Sequence, residues 1–180
     1  DMAEMVPHEF WAYATQQVKN RYPKMIFIGE VYDPNQYRMY IESGFDYLYD
    51  KVGMYDCIRG VMRDERPASS ITREWQQVDD IRDHMLYFLE NHDEQRIASD
   101  FFAGNPWKGV PGMIVSALLQ QNPVMVYAGQ EFGERGMDKE GFSGQDGRST
   151  IFDYWTSDAI YKGFFNRKAL TIDEKKLSLV

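Results

Sequence analysis

The sequence contains one cysteine, Cys57, which excludes an internal disulfide and leaves the redox compartment open. No apolar run approaches the ~20 residues of a membrane span, so membrane insertion is not expected. Residues Asp1 to Pro7 have neither the basic nor the apolar region of a signal peptide. Basic charge is in deficit: 20 Lys and Arg stand against 28 Asp and Glu, a formal net charge of -8. That balance disfavours nucleic acid and anionic lipid, and a neutral partner suits the chain better. The three histidines, His8, His84 and His92, show no ligand spacing, so no metal site is read from them. A Gly-x-Ser-x-Gly elbow, a phosphate loop and a dinucleotide fingerprint are all missing.

What is present is a folding composition. The 180 residues are 43% hydrophobic and 15% aromatic, rich enough for one substantial core and too rich for a disordered chain. Residues 1–180 are therefore read as a single globular unit. Short apolar runs alternate with longer amphipathic segments, the pattern of βα units and a parallel sheet.

A helix is predicted from Pro7 to Arg21, with Pro7 at its start, Glu9 in the first turn, Lys19 and Arg21 at its end, and Phe10, Ala14 and Val18 as its apolar stripe. Met25 to Ile28 reads as a strand covered on both faces, ending in Gly29-Glu30. A second strand is expected over Phe45 to Tyr49, then helices over Met54 to Arg63 and Ile71 to Arg82. Met85 to Leu89 repeats the first strand's logic and runs into Glu90-Asn91-His92-Asp93. A helix from Pro111 to Gln121, a strand from Pro123 to Tyr127 and a final helix from Asp158 to about Leu170 complete the reading.

That makes four strands, each ending in a polar cluster and followed by helix. In a closed barrel of parallel strands, functional groups gather at the strands' carboxyl ends, where the βα loops form a shared mouth. Four strands cannot close such a barrel, which typically needs about 250 residues. The fold class is α/β: an incomplete (β/α)8 TIM barrel of about four parallel βα units. Its open sheet edges are candidates for self-association.

Four segments resemble the α-amylase family of glycoside hydrolases, family 13. Asp1-Met2-Ala3-Glu4-Met5-Val6-Pro7 is similar to the segment just beyond the fourth strand in that family, and Phe27-Ile28-Gly29-Glu30-Val31 to the fifth-strand motif. Phe88-Leu89-Glu90-Asn91-His92-Asp93 resembles the seventh-strand motif, and Pro123 to Glu131 the strand that closes the barrel. Order and spacing agree across most of the chain.

The resemblance implies that Asp1 is the nucleophile, Glu30 the general acid and Asp93 a carboxylate that grips the sugar, with His92, Asn91 and Tyr32 binding substrate. Such a retaining pair acts through a covalent glycosyl-enzyme intermediate on α-glucans such as starch and maltooligosaccharides. Glu30 has to be protonated when the leaving group departs, and its apolar strand with Asp1 and Asp93 nearby would raise its pKa. Transglycosylation or isomerisation through the same intermediate is the neighbouring reading, and an inactive half-barrel fragment the alternative from another class.

Departures from the family pattern accompany the match. Glu4 and Met5 stand where many members carry a Lys and a His. The Arg two positions before the nucleophile, the third-strand region and much of the usual calcium site would precede this chain. No cofactor is read in the chain itself, and the resemblance allows calcium in a full-length parent. It also favours a secreted, periplasmic or cell-surface address, which the residues alone leave unknown. Tyr32, Tyr37, Phe101, Phe102 and Trp107 are candidate sugar-ring walls, with packing of the loops the preferred reading for each. The loop from Gly133 to Gly147 is expected to be solvated.

Overall fold

The computed structural model describes residues 1–139, 144–153 and 156–180. Four strands form one open sheet in sequence order: β1 (Ile28–Gly29), β2 (Tyr47–Tyr49), β3 (Met85–Phe88) and β4 (Val124–Met125). All pairings are parallel, with Ile28 opposite Tyr47, Leu48 opposite Met85 and Tyr87 opposite Val124. Around them lie α1 (His8–Arg21), α2 (Tyr37–Glu42), α3 (Asp56–Met62), α4 (Ser70–Gln77), α5 (Gly109–Leu118), α6 (Asp158–Phe165) and α7 (Ile172–Leu177). Parallel neighbours in sequence order, joined by helical crossovers, are the arrangement of half a (β/α)8 barrel.

The interior strand behaves as its apolar run requires. Every residue of β3 is buried, and Leu48, Met54, Tyr55, Ile58 and Leu89 close around it. Tyr55 stacks on Phe88 with ring centroids 4.8 Å apart and planes 7° from parallel. At the edge the same logic fails. Met25, Ile26 and Ile28 are 46%, 60% and 48% exposed, and only two residues pair as β1. An edge strand has a neighbour on one side alone, so an apolar run written for a covered position lies open. Val126, beside β4, is likewise 50% exposed.

Two helices correct the sequence reading. The buried residue of α1 is Thr15, whose hydroxyl donates to the Ser43 carbonyl at 2.7 Å, while Phe10 points outward. The inward side runs through Trp11, Ala14, Thr15 and Val18, so of the predicted stripe Ala14 and Val18 face inward and Phe10 does not; the Trp11 indole N–H donates to the Ala3 carbonyl. Near the C-terminus the single helix expected to Leu170 is two. Asn166 ends α6, and Thr171 and Glu174 form a reciprocal capping box that starts α7. The short α2, which buries Tyr37 and Tyr40, is not evident in the sequence pattern. Lys51–Tyr55 form a π-helical turn leading into α3, and α4 ends at Gln77 rather than Arg82.

Candidate active site

Because all four strands run the same way, their carboxyl ends share one rim, and the polar clusters meet there. β1 ends directly in Glu30, a residue only 4% exposed. The turn beyond β3 carries His92 and Asp93, and the first residues of the chain lay Asp1 across the same rim. One oxygen or nitrogen from each of Asp1, Glu30, His92 and Asp93 lies within 4.8 Å of the others. His92 is the hinge of the group: its Nε2 is 3.4 Å from Asp1 Oδ1 and 3.4 Å from Asp93 Oδ2.

Burial sorts the three carboxylates. Asp1 and Asp93 side chains are 61% and 53% exposed and face the open mouth. Glu30 is enclosed, and both of its oxygens are bonded: the Met2 amide donates to Oε2 at 3.0 Å and the Tyr32 hydroxyl to Oε1 at 2.9 Å. Burial first, and then the bond to Glu30, hold the Tyr32 hydroxyl far above the usual tyrosine range, so it stays protonated as a donor. Tyr32, expected as a sugar contact, thus also touches the acid.

Asn91 departs from its expected place. It is 1% exposed, and its Oδ1 accepts from the amides of Asp93 and Glu94 at 2.9 and 2.8 Å. A side chain sealed from solvent cannot reach a sugar; Asn91 holds the turn that presents Asp93. Tyr37 and Phe102, at 1% and 5% exposure, are core residues and not subsite walls. Phe101 and Trp107 are 47% and 38% exposed and lie open. Part of the loop from Gly133 to Gly147 lies outside the described residues; within its described part Glu134 is buried.

Other charged groups at the rim escape the sequence pattern, because each depends on partners far along the chain. Glu94 takes the Tyr55 hydroxyl at 3.0 Å, Lys51 at 3.2 Å and Arg59 at 3.1 Å. Behind it, Arg96 bonds Glu90 at 2.8 Å, the Ala128 carbonyl at 2.9 Å and Ser149, and lies 4.2 Å from the Tyr127 ring centroid. This cation ties the loop after β3 to the end of β4.

The carboxylate cluster does not suit calcium. That ion asks for six to eight oxygens at about 2.3–2.6 Å, whereas Glu30 has both oxygens engaged by donors and His92 brings a nitrogen between the other two acids.

With this geometry in place, the match to known proteins has structural meaning. The family model described as alpha amylase, catalytic domain, matches residues 2–175. The chain belongs to the α-amylase family. Solved structures agree on the fold. An α-amylase from Lactobacillus plantarum is 20% identical with a TM-score of 0.61 over 88% of this chain and 40% of that one. The cyclic α-maltosyl-(1→6)-maltose hydrolase of Arthrobacter globiformis is 16% identical with a TM-score of 0.65 over 99% and 38%. An α-amylase from H. orenii gives 19% and 0.61 over 95% and 38%. The search among curated proteins finds no match. The chain therefore spans about two fifths of the length of these solved structures, and this α-amylase family segment is half of a (β/α)8 barrel. Among the described residues no helix is long and apolar enough to cross a membrane.

Proposed function

We propose that this segment carries the chemistry of a retaining glycoside hydrolase acting on α-glucans such as starch and maltooligosaccharides. The observation that carries the reading is the convergence of Asp1, Glu30, His92 and Asp93 within 4.8 Å. In a retaining pair the two carboxyl groups stand about 5–5.5 Å apart, closer than the about 6.5–9.5 Å that an inverting pair leaves for a water. Asp1 attacks the anomeric carbon as the glycosidic C–O bond breaks, and Glu30 gives its proton to the departing oxygen. Water, deprotonated by Glu30, then releases the sugar from Asp1. Asp93 grips sugar hydroxyls as positive charge develops on the ring, with His92 beside it as a donor.

The activity belongs to the completed barrel. The sheet is open at both edges, so the isolated segment is expected to have negligible turnover and to hide its edges by self-association. The test is trapping: a parent polypeptide carrying Glu30→Gln is incubated with α-maltosyl fluoride and digested for mass spectrometry. A maltosyl adduct on the peptide containing Asp1 is expected, and an adduct elsewhere, or inverted products without one, overturns the reading. Chromatography of products from maltooligosaccharides decides hydrolysis against transglycosylation, since new α-linkages would mark the latter.

A further inference from the structure

Glu4 sits one helical turn from Asp1, and its carboxylate faces the chain rather than the mouth. Its Oε2 accepts from two consecutive amides just beyond the acid, Tyr32 N at 2.8 Å and Asp33 N at 3.1 Å. In the opposite direction the Met2 amide donates to Glu30 Oε2 at 3.0 Å, and Tyr32, once held, donates its hydroxyl to Glu30 Oε1. The segment bearing the nucleophile and the segment bearing the acid are thus joined by three hydrogen bonds, two to Glu4 and one from Met2, and the Tyr32 hydroxyl bond to Glu30 braces the acid within its own segment. Met2 adopts φ 54 and ψ 35, a left-handed conformation that a non-glycine residue rarely takes. That strained geometry turns its amide onto Glu30, and such strain persists only where surrounding contacts over-determine it.

We propose that Glu4 is a positioning residue for Glu30: by holding the Tyr32–Asp33 backbone it fixes the Tyr32 hydroxyl on the acid and, with the Met2 amide, sets the separation of Asp1 and Glu30. This rests on the reading of Glu30 as the general acid. A carboxylate taking two amides is a charge-assisted clamp, stronger than a neutral acceptor there. It is also directional, since it defines where the loop after β1 lies relative to the loop after Asp1. With both amides on its Oε2, Glu4 is committed to the acid loop and is not a free group for a leaving sugar.

The experiment compares Glu4→Ala, Glu4→Gln and Tyr32→Phe in a parent polypeptide that completes the barrel, on two substrates. Maltotriose needs a proton delivered to its leaving oxygen; α-maltosyl fluoride, whose leaving group departs as fluoride, does not. Misplacing the acid therefore slows the first, glycosylating step on maltotriose by at least about tenfold, up to the 10²–10⁴-fold that a positioned acid contributes. In the Glu4 variants the pre-steady-state burst of fluoride release from α-maltosyl fluoride, which precedes the step where Glu30 acts as base, stays within about threefold of wild type. Glu4→Gln keeps an acceptor and recovers most of the loss. An equal loss in the first step on both substrates overturns the proposal, because it would mark a general structural defect. Amide hydrogen exchange on the chain itself gives a readout that needs no activity. In Glu4→Ala the amides of Tyr32, Asp33 and also Met2 exchange at least about tenfold faster; Met2 unchanged means the two segments are not coupled and the proposal fails. Wild type inactive on both substrates, with exchange behaving as expected, sinks the glycosidase reading and leaves the coupling standing.

Discussion

Arg96 and Glu90 form an ion pair of 2.8 Å in which both side chains are 2% exposed. The Ile97 amide donates to the other Glu90 oxygen at 2.7 Å, so the carboxylate is fully bonded. Burial pushes the Glu90 carboxyl above its ordinary range while the Arg96 guanidinium pulls it back. Removing one partner strands a buried charge, so Arg96→Met is expected to cost about 3–5 kcal/mol. The double variant Glu90→Gln, Arg96→Met restores much of this, since Gln still accepts from Ile97 without a charge. Urea unfolding of the three proteins measures it, and additivity of the single losses would contradict the pairing.

Catalysis in the completed barrel depends on Glu30 and Asp93. Glu30→Gln and Asp93→Asn are each expected to lower kcat/KM by about 10²–10⁴-fold, the range of a positioned acid or base. Losses under tenfold in steady-state assays would remove these residues from the chemistry.

Asp50 lies just past β2 and is 1% exposed. The amides of Gly53 and Met54 and the Tyr37 hydroxyl face it, but neither carboxylate oxygen has a partner in good hydrogen-bond geometry. Burial dominates and raises its pKa from 3.8 to about 6. A folded-state pKa above the unfolded value means that the native state holds the extra proton in this window. Stability therefore falls as pH rises from about 4 to about 6 and is level on either side. Asp50→Asn removes this titration. Its stability relative to wild type is expected to rise across that window by up to about 3 kcal/mol, at about 1.4 kcal/mol per pKa unit. Chemical denaturation at pH 3.5, 5 and 7 gives the comparison; a gap that does not change with pH would contradict it.

Gly44 has φ +100, and a Cβ there would lie 2.3 Å from Thr15 Oγ1. Gly44→Ala combines a conformation costing about 1–3 kcal/mol with the breaking of the Thr15 bond to Ser43. A loss of at least about 2 kcal/mol in thermal or urea unfolding is expected, and a neutral outcome would mean the α1–α2 contact is loose.

The open edges predict association of the isolated chain. Charges on them, as in Ile28→Lys with Val126→Lys, are expected to shift the light-scattering mass toward the monomer. A wild-type chain that is already monomeric would show that these edges do not pair.

The sequence by itself determined the order of the four strands and which of them lies inside. Met85 to Leu89 is apolar without alternation, and a run of that kind needs cover on both faces, which β3 has. It also named Asp1, Glu30, His92 and Asp93, because parallel strands put the residues after their carboxyl ends on one rim whatever the details of packing. Tertiary structure alone decided the rest. Edge exposure undid the cover expected for Met25 to Ile28, since the identity of a strand's neighbours is not written in the strand. On α1, Trp11 and Thr15 joined Ala14 and Val18 on the inward side while Phe10 turned out, because a helix offers every direction and its neighbours choose one. Asn91 turned inward, and Glu4 closed on the amides of Tyr32 and Asp33, through hydrogen bonds spanning two, three, 28 and 29 residues. Apolar periodicity carries burial along a segment; the partners of a polar side chain are fixed only when distant segments meet.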